Sequence, residues 1–256
     1  TFDFVCAYKP NSAFYEGQGD EGWRALKRTV DYIHKGMPAI PVILDAKRGD
    51  IGNTNNGYVQ MAFDYLDVDA ITVPPYLGGK SLQPFLDRPD KGIIVLCRTS
   101  NEESDEFQGR LNKVDDSEAV FLRGHYPQTY PIGFGGIHYY AEFYKLIALR
   151  VTEYWNKNGN CAVVVGAPYP EELAKVRQIV GDMPILIPGV GAQGGDLEKT
   201  VAAGKNSKNQ GMIINSSRGI IFASSGPDFA EAARRETLKL HEAIQGCLTT
   251  PTTASN

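Results

Sequence analysis

VILDAKRGDIGNT, residues 42–54, opens as an apolar strand and ends among charges. Val42, Ile43 and Leu44 do not alternate with polar residues, the pattern of a strand buried on both faces of a parallel sheet. Asp45, Lys47, Arg48 and Asp50 follow at once. Asp45 and Lys47 stand two apart, so an extended backbone would aim both at one face. A buried carboxylate and ammonium are costly unless paired. The stretch is therefore either an ion-pair layer closing a strand mouth or a preorganised charge array.

Similar apolar runs recur at 4–10 (FVCAYKP), 40–47, 70–76, 92–99, 161–167, 184–190 and 211–217. Between them, residues 21–36, 56–68, 136–159, 170–181 and 228–245 carry apolar side chains at helical spacing. Strand–helix alternation predicts βαβ units and a parallel sheet. The visible strands are one short of the eight that close a TIM (β/α)8 barrel. The expectation is thus an α/β barrel whose first strand and helix, about 30–40 residues, are missing from the N-terminus of this chain. An open seven-stranded sheet is the alternative. One catalytic domain over 1–248 and a flexible polar tail over 249–256 are expected.

Polar residues gather at the C-terminal ends of these runs, where barrel active sites form. Lys9 ends the first run; Asp45, Lys47 and Asp50 follow the second; Ser100 follows a later one. Lys9 supplies a second cation beside Asp45. On the functional reading Lys47 is a proton donor held between Asp45 and Asp50, with Lys9 fixing the partner carboxylate. Such an array suits a reaction in which negative charge develops on carbon and is then protonated. The stretches PGVGAQGGD (188–196) and NSSRG (215–219) read differently. Their glycines let backbone N–H groups approach a ligand, and Arg218 and Gln193 can donate to a phosphate.

The 256 residues carry a net charge of −4 and are 42% hydrophobic and 22% charged, which fits a globular protein and argues against nucleic acid as partner. No apolar run approaches the ~20 residues of a membrane span, and no signal peptide is visible. The four cysteines lack metal-ligand spacing, and three of them sit inside apolar strand-like runs, so they read as reduced core residues of a cytoplasmic protein. No metal site is expected, and the four histidines read as surface or helix-face residues.

DAKRGDIGNT resembles the Asp-x-Lys-x-x-Asp-Ile signature of the orotidine 5'-monophosphate decarboxylases, in particular their long-loop branch. CAYKPNSAFYE (6–16), VPPYLGGKSLQPFL (73–86), VLCRTSN (95–101), VVVGAPYPEEL (163–173), PGVGAQGGD and INSSRG (214–219) resemble family segments in the same order. The resemblance implies a homodimeric barrel that converts orotidine monophosphate to UMP without a cofactor. It implies that Lys9 and Lys47 are active-site lysines, that Asp45 lies near the substrate carboxylate, and that Lys47 protonates C6. Asp50, Ile51 and Thr54 would reach into the neighbouring subunit's site. Ser100 would bond the pyrimidine; Gln193 and Arg218 would grip the phosphate, with Pro188 and Gly219 beside them. The insert 101–136 is a candidate lid.

Three features depart from that pattern. The family's first strand, with an aspartate on the ribose hydroxyls, has no counterpart in this sequence. Pro74 stands where the branch commonly has Asn, and Lys80 where it commonly has Asp. The rival readings are a magnesium-dependent sugar-phosphate decarboxylase or aldolase of the same superfamily, and a non-catalytic nucleotide-binding subunit.

Overall fold

The computed structural model describes residues 1–125, 130–133, 137–191 and 195–249. They fall into two compact units. One comprises Thr1–Leu96, Asn156–Ala162 and Ile220–His241; the other comprises Cys97–Trp155, Val163–Gly219 and the chain from Glu242.

In the first unit, Asn11 caps α1 (Ser12–Glu16) by accepting from Ala13 N–H. The helix α2 (Gly19–Gly36) follows, with Asp20 and Glu21 in its first turn and His34 and Lys35 in its last. That charge order suits the helix dipole. Leu26, Val30 and Ile33 form its buried stripe, at the spacing of one helix face. The strands β1 (Ile43–Leu44), β2 (Ala70–Val73) and β3 (Gly92–Arg98) are parallel neighbours. Ile43 is opposite Ala70, and Thr72 is opposite Ile94. β1 and β2 are buried at every position, which explains why neither alternates in sequence. The intervening α3 (Gly52–Val59) continues as a π-helical segment to Tyr65.

The helix α4 (Gly79–Leu86) escapes the sequence reading because glycine and Pro84 disguise it. The run at 4–10 is corrected in a similar way. It forms isolated parallel bridges, Tyr8 with Val42 and Asn11 with Asp45, rather than a strand. Pro10 and Pro41 have no N–H to donate, so the ladder is interrupted. Cys6 on this run is exposed, not a core residue, whereas Cys97 and Cys161 are buried.

The second unit contains an antiparallel sheet in the order β4 (Leu111–Val114), β6 (Ile137–Glu142), β5 (Tyr130–Gly133). Before β5 comes α5 (Asp116–His125). The helix expected over 136–159 starts only at Phe143, as α6 (Phe143–Arg150), with a π-helical segment to Trp155. Tyr139 and Tyr140 favour an extended, paired backbone, and Tyr140 sits opposite Lys113 and Tyr130. Part of the candidate lid, residues 126–129 and 134–136, lies outside the described residues.

The parallel strands of this unit are β7 (Cys161–Val165), β8 (Ile185–Pro188) and β9 (Met212–Asn215). Val163 pairs with Ile185, and Pro188 with Asn215. Two helices, α7 (Pro170–Val180) and α8 (Leu197–Gly204), link them. The short α9 (Arg218–Ile221) follows β9, and α10 (Phe229–Thr249) completes the chain's described elements. Residues 250–256, most of the expected tail, lie outside the described residues.

Candidate active site

The charges of the opening stretch converge on Asp45. Lys9 Nζ lies 2.6 Å from its Oδ2, and Lys47 Nζ lies 2.5 Å from its Oδ1. The Asp45 and Lys9 side chains retain only 11% and 13% of their exposure, whereas Lys47 keeps 50%. Burial pushes the Asp45 carboxyl upward, but the charge of Lys9 and the hydrogen bonds from Lys47 and Lys9 outweigh it. The group is held below the usual carboxylate range. An anion therefore persists between two ammonium groups, one sheltered and one open to an incoming ligand.

The expected extended geometry is corrected here. β1 stops at Leu44, and Ala46 N–H donates back to Leu44 O at 3.0 Å, an i to i−2 turn. Lys47 then adopts φ +49°, a left-handed conformation that a side chain with a Cβ seldom takes. Lys47 reaches Asp45 through this turn rather than by strand alternation. Strain of about 1–3 kcal/mol at such a residue persists only where its surroundings enforce it. The enforcing bonds are Lys47 N–H to Thr72 Oγ1 at 3.0 Å and Arg48 N–H to Thr72 O at 3.2 Å.

Among the described residues Asp50 forms no ion pair with Lys47, whose carboxylate partner is Asp45. Asp50 Oδ1 accepts from Ile51 N–H at 2.7 Å, and its own N–H donates to Asn55 Oδ1 at 2.8 Å. Asn55, fully buried, also donates to Asp50 O and Ser81 O. Asp50 is thereby fixed at the start of α3, from which Ile51 and Thr54 project into the open. Arg48 pairs with Glu16. Sequence reasoning missed Thr72 and Asn55; a polar residue inside AITV (70–73) was the available signal for the former.

In the second unit the strand ends carry the other expected residues. Ser100 follows β3, half-buried, and a Cβ on Gly166 would come within 2.6 Å of Ser100 Cα, so only glycine fits there. The buried Arg98 organises this corner. Its guanidinium bonds Ser104 and Asp105 and stacks 3.8 Å from the Tyr169 ring. Tyr169 Oη in turn donates to Asn101 O at 3.0 Å. Pro188 ends β8 and accepts from Ala167 N–H at 2.8 Å. Gly189 and Gly191 have φ of +100° and +75°, and Gly195 N–H closes the loop onto Gly189 O at 3.2 Å. Gln193 lies outside the described residues. Arg218 and Gly219 open α9, both exposed.

Parallel strands end in a lysine-flanked carboxylate in the first unit, and in a glycine loop and an exposed arginine in the second, a pattern of charged and glycine-rich strand ends that belongs to the α/β class. Comparison with known proteins narrows the class. Residues 1–235 match the family described as Orotidine 5'-phosphate decarboxylase / HUMPS. The chain is 47% identical over 244 residues to the orotidine 5'-phosphate decarboxylase of Ralstonia pickettii, across 95% of this chain and 80% of that relative. The structure of Leishmania donovani OMP decarboxylase is similar with a TM-score of 0.77 and 37% identity, covering 98% of this chain and 84% of that one. The longer UMP synthase of Leishmania donovani matches with a TM-score of 0.78 and 39% identity, over 97% of this chain but 48% of its own.

This chain belongs to the orotidine 5'-phosphate decarboxylase family and has its α/β, TIM-like fold.

Proposed function

We propose that the Lys9–Asp45–Lys47 cluster is the reacting centre for the family's reaction, decarboxylation of orotidine 5'-monophosphate to UMP. The observation that carries this reading is a carboxylate kept ionised between two ammonium groups, one of them half exposed on a strained backbone. The C6–carboxylate bond breaks, its electron pair stays on C6 and carbon dioxide leaves. Lys47 then gives C6 a proton and is reprotonated from solvent. The developing carbanion meets a cation already in place, which is preorganised electrostatic stabilisation. Asp45 opposes the substrate carboxylate before bond cleavage and is relieved after it. No cofactor is required by this scheme.

Ser100 is assigned to the pyrimidine, and Gln193 and Arg218 to the phosphate, with Pro188 and Gly219 beside them. Binding energy at a phosphate remote from C6 can be used to organise the reacting groups. Asp50, Ile51 and Thr54 are assigned to a neighbouring subunit's site in a homodimer. That assignment is supported by Ile51, 62% exposed, and by a cleft of about 510 Å³ whose lining includes Thr54 and Tyr58. The chain is proposed to act in the cytoplasm as one catalytic domain over 1–248. No helix among the described residues is long and apolar enough to cross a membrane.

The test is the ultraviolet absorbance of orotidine monophosphate incubated with the protein, with and without EDTA. Loss of the substrate band in both samples supports the reading. Loss only without EDTA favours the metal-dependent superfamily chemistry; no loss with UMP still bound favours a binding protein.

A further inference from the structure

We propose that Thr72 is a positioning residue for the reaction, locking the Asp45 carboxylate and the Lys47 backbone with one hydroxyl. Thr72 lies in β2 between Ile71 and Val73 and is 1% exposed. Its Oγ1 is 3.1 Å from Asp45 Oδ1 and 3.0 Å from Lys47 N. The direction of both bonds follows from chemistry. A backbone N–H can only donate, and an ionised carboxylate can only accept. The single hydroxyl proton must therefore point at Asp45, while a lone pair receives Lys47 N–H.

Three consequences follow for the cluster. Asp45 Oδ1 is shared by Lys47 and Thr72, and Oδ2 is held by Lys9, so neither oxygen is free to rotate away. A donor to the charged form also favours ionisation, in concert with the two lysines. Finally, Thr72 O accepts from Arg48 N–H at 3.2 Å, so hydroxyl and carbonyl of one residue hold consecutive amides of the left-handed turn at Lys47. Among the described residues, the charged groups facing Asp45 are Lys9, from the segment before α1, and Lys47. β2 contributes only the neutral hydroxyl of Thr72.

A valine would fill the same volume and suit the strand equally well, so the hydroxyl itself is what the proposal concerns. It rests on the assignment of Lys47 as proton donor. Thr72→Val removes the bond and keeps the shape. The expected result is a kcat lower by about 10- to 100-fold, the loss of one charge-assisted hydrogen bond expressed in rate. UMP affinity changes little, and the acid limb of the kcat profile moves to higher pH because Asp45 has lost a donor. Thr72→Ser restores the hydroxyl and recovers most of kcat and the original limb. Thr72→Ala reads the same quantities if the valine variant does not fold.

Unchanged kcat and acid limb in the folded variant lacking the hydroxyl would overturn the proposal. So would equal losses in the serine and hydroxyl-free variants, or a parallel loss of UMP affinity. Turnover by Lys47→Ala would instead remove the underlying assignment, a result distinct from any of these.

Discussion

At the scale of single residues, the site is built around a cost. Asp45 is nearly buried and Lys47 occupies a left-handed backbone region. Both are tolerated because each satisfies the other and Thr72 satisfies both. The Asp45 pKa is lowered on folding, so its contribution to stability is present above the unfolded carboxylate value, near 4. That contribution disappears as pH falls through the lower folded value. Denaturant titrations below about pH 4 should show wild type losing more stability than Asp45→Asn, whose side chain does not titrate. Parallel losses would mean that other carboxylates govern acid unfolding. Arg218 makes a separate prediction. Arg218→Ala should weaken UMP binding by about 2 kcal/mol, the scale of a lost charged hydrogen-bond pair, while uridine binding stays the same. Equal loss for the two ligands, by calorimetry, would remove Arg218 from the phosphate.

At the scale of elements, α7 shows how a helix end is secured. Pro170 starts it, Gly181 at φ +58° ends it, and Leu173, Val176 and Ile179 are buried between. Arg177, near its end, is also buried, and its guanidinium donates to the carbonyls of Gly181, Met183, Gly204 and Gly211. Burial lowers its pKa to about 10, which leaves it charged at neutral pH. These carbonyls belong to the end of α7, the end of α8 and the entries to β8 and β9, so one cation ties the starts of β8 and β9 to the two helix ends. Arg177→Met should destabilise the protein by about 3 kcal/mol, because buried carbonyls lose their donor. A thermal-unfolding midpoint matching wild type would show that water replaces the guanidinium. In sequence Arg177 looks like any exposed helix arginine.

The same scale explains what could be read beforehand. β2, β3, β7 and β8 were legible because burial on both faces leaves a continuous apolar run, and β9, half-buried throughout, because its run is apolar all the same. α7 was legible because proline and glycine mark its ends. The sheet formed by β4, β5 and β6 was not, because its aromatic segment also fits helical spacing and pairing is a tertiary fact. In the site, Lys9, Asp45 and Lys47 were legible as charges that a strand end must justify. The turn that brings Lys47 to Asp45 was not. It depends on Thr72, distant in sequence, holding a backbone that a lysine does not prefer.

At the scale of the whole molecule, the proposed homodimer gives the exposed start of α3 a purpose. Ile51 and Thr54 are open in the single chain, while Asn55 beneath them is fully buried and fixed. Sedimentation should find a dimer, and Ile51→Asp should shift it toward monomer while lowering turnover. A wild-type monomer with full activity would exclude a shared site.

The central claim concerns Lys47, and paired assays of Lys47→Ala test it most directly. Orotidine monophosphate turnover and UMP affinity should be measured on the same folded preparation. The account predicts that turnover is abolished while UMP binding is largely kept. Turnover at the wild-type rate would contradict it, because the proton that reaches C6 would then have another source.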